Sequence, residues 1–206
     1  MTEPTRLFLL RHGEVEPRYH RKFGGKIDMD LSDLGREQAQ LLSDYLKRTH
    51  FDAVYASPMK RVQQTLAPHL PHLKAVPTTF EDLREVDFGC WTGLGWEEVL
   101  EQHKVSAYDW LHQLEDAAIK DAECGKTFRA RVEPVLKIIL DHHPGETVAI
   151  YCHGGVIRMM LSILLDISLR KTSFFEVDYA SLTQIDYHPR KTEVQLLNFT
   201  PWRDLP

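Results

Sequence analysis

The chain has 206 residues, 43% hydrophobic and 27% charged, a globular balance that excludes disordered, collagen-like and small disulfide-scaffold chains. At roughly 150 residues per domain, a single domain over 1–206 is expected, large enough to bury its own core without metal or disulfide staples. A net charge of −5 argues against nucleic acid as a partner while leaving room for a local basic pocket.

No stretch reaches the ~18 uncharged apolar residues of a membrane span. The longest apolar run, Val156 to Ile167, is interrupted by Arg158, Ser162 and Asp166. Met1 to Leu10 is too short and too poorly charged for a secretory signal. Cys90, Cys124 and Cys152 are odd in number and widely spaced, which fits neither a disulfide framework nor a zinc ribbon and points to a reducing cytoplasm.

In chain order, Arg6 to His12 reads as a buried strand ending in charge and glycine. Ser32 caps a helix over Asp33 to Arg48, with Leu34, Leu41, Leu42, Tyr45 and Leu46 as its apolar face. Asp52 to Ser57 is a second strand; Pro58 suits the first turn of a helix running toward Leu70. Ala75 to Thr78 is a short strand candidate. Residues 94–126, polar but carrying Trp96, Tyr108 and Trp110, read as a helical cap over a site. Phe128 to Asp141 is helical, with Pro134 expected to kink or delay it. Thr147 to Cys152 is the clearest strand, followed by a helix over Val156 to Leu165. Strands are expected over Phe174 to Asp178, Leu182 to Tyr187 and Val194 to Phe199. The alternation implies an α/β three-layer sandwich: a mostly parallel central sheet with an antiparallel edge, and helices on both faces.

Sites in such sheets form beyond the carboxyl ends of the strands, and three strands end in unusual chemistry. They are Arg11-His12-Gly13-Glu14, Ser57-Pro-Met-Lys-Arg61 and Cys152-His153-Gly154-Gly155. Side by side they bring two arginines and two histidines to one rim. Guanidinium forks match phosphoryl oxygens, and glycines let backbone N–H groups approach. Neighbouring cations depress an imidazole pKa, leaving it free to act as a nucleophile.

The sequence resembles the histidine phosphatase superfamily, also called phosphoglycerate-mutase-like. Five blocks carry the resemblance in order: Leu10 to Glu14, Phe23 to Ala39, Ser57 to Thr65, Leu83 to Gly93, and His153 to Gly155. The resemblance implies that His12 is the nucleophile that becomes phosphohistidine, that Arg11, Arg61 and His153 clamp the phosphoryl group, and that Gly154 adds a backbone donor. It implies Glu85 as general acid and then base, Gly24 in the substrate site, and a small phosphorylated metabolite as partner, with no metal and no cofactor. Many members carry Ser or Thr after the Glu14 position and Asn three further on, where this chain has Val15 and Arg18. Arg18, Arg21, Lys22 and Lys26 make that loop cationic, either a solvated loop or a contact for a second anionic group of the substrate. Trp91 is expected at the pocket wall, and His142-His143 at the surface of a helix end.

A compact phosphatase acting on small phosphomonoesters, such as α-ribazole phosphate or a sugar phosphate, is the leading reading. The alternatives are a 2,3-bisphosphoglycerate-dependent phosphoglycerate mutase, whose members tend to be longer, and a non-catalytic phosphate-binding module. The spacing Cys152-x5-Arg158 also fits cysteine-dependent phosphatases, but Tyr151 and Met159 do not suit that loop, and Cys152 is better read as a buried strand residue. Nothing in the pattern assigns an oligomeric state.

Overall fold

The computed structural model describes residues 3–205; Met1, Thr2 and Pro206, the ends of the expected 1–206 domain, lie outside the described residues. The elements run β1 (Thr5–Arg11), α1 (Asp33–Leu46), β2 (Ala53–Ala56), α2 (Lys60–Leu66), β3 (Thr78–Thr79), α3 (Trp96–His103) and α4 (Trp110–Glu115). They continue through α5 (Gly125–His142), β4 (Thr147–Cys152), α6 (Gly154–Leu164), β5 (Leu182–His188), β6 (Lys191–Phe199) and α7 (Pro201–Asp204). The strands form one sheet in the order β3-β2-β4-β1-β5-β6. β1, β2, β3 and β4 run parallel, β5 antiparallel to β1, and β6 antiparallel to β5. This is the expected mostly parallel sheet with an antiparallel edge.

The period-two alternation of the two central strands builds a core on each face. On one face Leu7, Leu9, Val148, Ile150 and Cys152 pack with Phe128 and Val132 of α5 and Val156 and Ile157 of α6. On the other, Phe8, Leu10, Ala149 and Tyr151 pack with Leu42 and Leu46 of α1 and Val62 and Leu66 of α2. Leu7, Leu9 and Leu10 have no exposed surface, and each such side chain contributes about 2–3 kcal/mol of hydrophobic stabilisation.

Ser32 caps α1, its Oγ accepting from the Gly35 N–H at 2.9 Å and donating to Glu14 Oε1 at 2.8 Å. The face that α1 buries is Gly35, Gln38, Ala39, Leu42, Ser43 and Leu46; Leu34, Leu41 and Tyr45 point outward, a correction to the expected face. The β1–α1 connection doubles back so tightly that a Cβ on Gly35 would lie 2.0 Å from the Glu14 carbonyl oxygen, and one on Gly13 2.5 Å from the Gly35 carbonyl oxygen.

Other expectations are also corrected. Phe174 to Asp178 is not a strand: a 3-10 turn over Leu169–Phe174 leads into irregular backbone, and Phe174 is 85% exposed. β5 already occupies the free side of β1, so side chains take this segment's carbonyls instead of a ladder: Arg158 bonds those of Thr172 and Phe175, and Arg11 that of Val177. The strand expected over Ala75 to Thr78 shrinks to β3, because Val76 is 87% exposed and Pro77 has no N–H to give a ladder. Pro58 precedes α2, whose N-cap is Met59. α2 ends at Leu66 and continues as a 3-10 turn through His72. α5 and α6 begin earlier than expected, at Gly125 and Gly154, and α5 passes Pro134 unbroken. Pro134 and Ala130 are both exposed, so water can satisfy the carbonyl that the missing N–H frees. His142 lies at the surface, but His143 is half-buried, sharing hydrogen bonds with the Tyr55 hydroxyl at 2.8 Å and the Glu146 carboxylate at 2.6 Å.

Candidate active site

Strand register creates the site. In the central ladders Arg11 stands opposite Cys152, and Ala56 opposite Tyr151. The next residue of each strand, His12, Ser57 and His153, therefore arrives at one rim. There the His12 N–H donates to the Cys152 carbonyl at 3.2 Å and the Ser57 N–H to the Tyr151 carbonyl at 2.9 Å. A cavity of about 560 Å3 opens on this rim.

His12 is buried. Its Nδ1 lies 2.8 Å from the Gly13 carbonyl oxygen, which can only accept, so Nδ1 carries the proton. Arg61 Nε, which can only donate, reaches Nε2 at 3.2 Å. Both partners select one tautomer, with an unprotonated Nε2. Burial, then Arg61, then Arg11 hold the imidazole well below its ordinary pKa of 6.5. The ring is thus neutral at physiological pH.

Arg61 is itself fixed from three sides. Nη1 donates to the Ile27 carbonyl at 2.9 Å and Nη2 to that of Gly25 at 3.4 Å. Burial pushes its pKa down to about 10, which leaves it a cation at neutral pH. One turn on, the Thr65 hydroxyl donates to the Arg61 carbonyl at 2.7 Å and accepts from the Gly13 N–H at 2.9 Å, tying α2 to the loop that carries His12.

Arg11 donates from Nη1 to the Val177 carbonyl at 2.5 Å, and its guanidinium lies 4.1 Å from the centre of the Tyr179 ring. Its Nε is buried with no partner among the described residues. His153 shows the same pattern: Nε2 bonds the Ser57 hydroxyl at 2.8 Å, while Nδ1 is buried and unpartnered. The two imidazoles stand 5.2 Å apart, edge to face. Burial first, then Arg61, His12 and Arg11, keep His153 well below its ordinary pKa. Unsatisfied buried polar atoms are costly in a closed core; beside a cavity lined by guanidinium groups they suit a bound phosphoryl group.

Glu85 lines the cavity half-buried, beside the start of α6. Its Oε2 accepts from the Gly155 N–H at 3.2 Å, and Oε1 from the Val86 N–H at 3.0 Å. A Cβ on Gly155 would lie 2.4 Å from Oε1, so glycine at this position makes room for the carboxylate. The remaining wall comes from Phe88 together with Trp96, Tyr108 and Trp110, with His20, Arg21 and Lys22 and with Glu176 and Asp178.

The structure thus brings Arg11, His12, Arg61, Glu85, Gly24 and Gly154 to one cavity, with His153 packed directly behind it. It does not bring Arg18 there: that side chain points to solvent and pairs with Glu16 at 2.8 Å. Trp91 is not at the wall either. It is buried in the core, against Phe23 at 5.1 Å between ring centres. Cys152 is fully buried on the core face, with its thiol pKa pushed up by burial, as suits a packing residue. Ser57, Thr65 and Tyr179 belong to the site although the sequence does not mark them as site residues. Thr65 was detectable, since it follows Arg61 by four positions and shares its helix face. Tyr179 was hidden by the mistaken strand before it. No group of three or more His, Cys, Asp or Glu side chains able to hold a metal occurs among the described residues, nor any helix long and apolar enough to cross a membrane.

A neutral imidazole beside two guanidinium groups, at the carboxyl ends of parallel strands, defines a phosphoryl-transfer enzyme. The profile of the histidine phosphatase superfamily (branch 1) matches residues 7–200, and the chain belongs to that superfamily, a phosphomonoesterase by class. It is 32% identical to phosphoserine phosphatase 1 of Hydrogenobacter thermophilus over 95% of this chain and 92% of that protein. It is 24% identical to the adenosylcobalamin/alpha-ribazole phosphatase of Escherichia coli over 94% of this chain and 95% of that one. Among solved structures, the alpha-ribazole phosphatase of Shigella flexneri superposes with a TM-score of 0.82 at 25% identity, covering 95% of this chain and 97% of that one.

Proposed function

We propose that the chain hydrolyses small phosphomonoesters by passing the phosphoryl group through Nε2 of His12. The lone pair of Nε2 attacks phosphorus, the ester P–O bond breaks, and the departing alkoxide takes a proton from Glu85. Water then attacks the phosphohistidine, giving its proton to the Glu85 carboxylate, and the P–N bond breaks to return the pair to Nε2. Arg11 and Arg61 at the cavity wall, backed by His153, hold the non-bridging oxygens through both transfers, where most of the rate enhancement arises. The observation that carries this reading is the tautomer of His12, fixed by an acceptor at Nδ1 and a donor at Nε2.

For the alcohol portion, the cavity sets cations (Arg21, Lys22) and carboxylates (Glu176, Asp178) around one opening, with aromatic residues from 94–126 as the cap. Walls of both signs suit a small ester that itself carries an ammonium and a carboxylate. The likeness to a phosphoserine phosphatase supports phosphoserine first and α-ribazole or sugar phosphates next. The three free thiols support a reducing, cytoplasmic setting.

The experiment is phosphate release from O-phosphoserine, α-ribazole phosphate, sugar phosphates and phosphoglycerate, with acid-labile phosphoenzyme trapped in parallel. His12→Ala should lose at least ~10^3-fold in turnover and all trapped phosphate. Retained turnover in that variant refutes the histidine mechanism, and interconversion of phosphoglycerates without phosphate release makes the protein a mutase.

A further inference from the structure

Behind the cavity, out of contact with it, Arg131 of α5 spends its whole hydrogen-bonding capacity on one carboxylate and one loop. Its side chain is 19% exposed. Nε and Nη2 grip Glu123 as a two-pronged fork, at 2.6 Å to Oε1 and 2.8 Å to Oε2. Nη1 donates to the carbonyls of Asp82 at 2.7 Å and Arg84 at 2.8 Å, and Nη2 to that of Glu85 itself at 3.2 Å. All five guanidinium donors are used. Glu123 closes the frame from the other side: its Oε2 accepts from the Asp87 N–H at 2.9 Å, and its own N–H donates to the Asp87 carbonyl at 3.0 Å.

The stretch framed in this way, 82–87, lies outside every helix and strand except for one 3-10 turn that ends at Leu83. Among the described residues no other donor reaches the carbonyls of Asp82, Arg84 or Glu85. The backbone that aims the Glu85 carboxylate is therefore held by a half-buried ion pair rather than by a sheet. A carboxylic acid that must meet a departing oxygen loses much of its effect when displaced by about 1 Å.

We propose that Arg131, with Glu123 as its partner, is the positioning residue for Glu85, setting where the proton donor stands while touching neither substrate nor phosphoryl group. The proposal rests on Glu85 being the acid. Lysine cannot replace Arg131, because one ammonium cannot span three carbonyls and a carboxylate.

The test compares Arg131→Lys and Glu123→Gln with the parent on two esters: an aryl phosphate, whose leaving group departs without help, and an alkyl phosphate, whose leaving group needs a proton. Both variants should lose about tenfold or more in kcat/KM on the alkyl ester, with little change on the aryl ester and an intact phosphoenzyme burst. In a Glu85→Gln background, Arg131→Lys should then add no further selective loss. Equal losses on both esters, or none, overturn the positioning role. If Arg131→Lys does not fold, Glu123→Gln decides by the same two rates. Failure of the underlying reading looks different: Glu85→Gln alone would slow both esters equally, whatever Arg131 does.

Discussion

In the proposed mechanism, His12 is prepared for attack by two groups that cannot exchange roles. The Gly13 carbonyl can only accept and Arg61 Nε can only donate, so the nucleophilic nitrogen is chosen by hydrogen bonding before any substrate arrives. Burial and two guanidinium neighbours keep the ring unprotonated below its ordinary 6.5. The sign of the pH effect follows. Protonation kills the nucleophile, and it occurs only below the depressed pKa, so the acid limb for phosphorylation of the enzyme lies well under 6.5. Single-turnover phosphoenzyme formation, corrected for substrate ionisation, should stay level as pH falls through 6.5. An acid limb centred there would mean that His12 titrates like a solvent-exposed histidine.

At the scale of elements, the site depends on how closely β1 and α1 meet. Gly13 and Gly35 pack backbone against backbone, and the Gly13 N–H is the anchor for Thr65 on α2. Gly35→Ala places a Cβ 2.0 Å from the Glu14 carbonyl oxygen, with no flexible side chain to yield. Denaturant unfolding should show a loss of about 2–3 kcal/mol, and phosphatase activity should fall with it as the His12 loop is displaced. A second joint links α4 to Arg11. Glu115 at the end of α4 accepts from the Leu169 N–H at 3.1 Å and bonds Arg170. Arg158 holds the carbonyls just beyond, and Val177 at the end of that segment receives Arg11. The 169–177 segment thus connects α4 to a guanidinium group of the site.

Across the whole molecule, the folded state keeps three buried imidazoles neutral. His12 and His153 are held well below their ordinary pKa. On the far face His69 is pushed down to about 4, by burial first and then by His72, with Nδ1 bonded to the buried Tyr151 hydroxyl at 2.6 Å. Each group binds a proton more readily in the unfolded chain. Stability is therefore full above 6.5 and declines as pH falls, by up to about 1.4 kcal/mol per pH unit per group. For His69 the decline ends near 4. Melting temperature should drop through this window, and His69→Gln should make the drop shallower without altering the site; an unchanged slope would remove His69 from the account.

How far the molecule can be read without its tertiary structure follows from the range of the forces involved. Alternating apolar residues in the strands, the Ser32 cap, and charge and glycine beyond three strand ends are local patterns. They were enough for the sheet, its antiparallel edge and the residues at the rim, Arg11, His12, Arg61 and His153; Glu85 came only from the family resemblance. What failed or went unseen depends on partners distant in sequence. Phe174 to Asp178 has strand-like residues, but its carbonyls are taken by Arg158 and Arg11 rather than by a neighbouring strand. Arg18 lies in a cationic loop whose direction only the folded backbone sets, and Glu16 beside it takes its charge. Arg131 looks like any helix-surface cation, and becomes a brace for Glu85 only when folding brings Asp82, Arg84 and Glu85 across 46–49 positions of chain to meet it. Local periodicity chose the elements and strand-end motifs most of the reactive groups, while long-range hydrogen bonds, which leave no periodic trace in the chain, decided where those groups point.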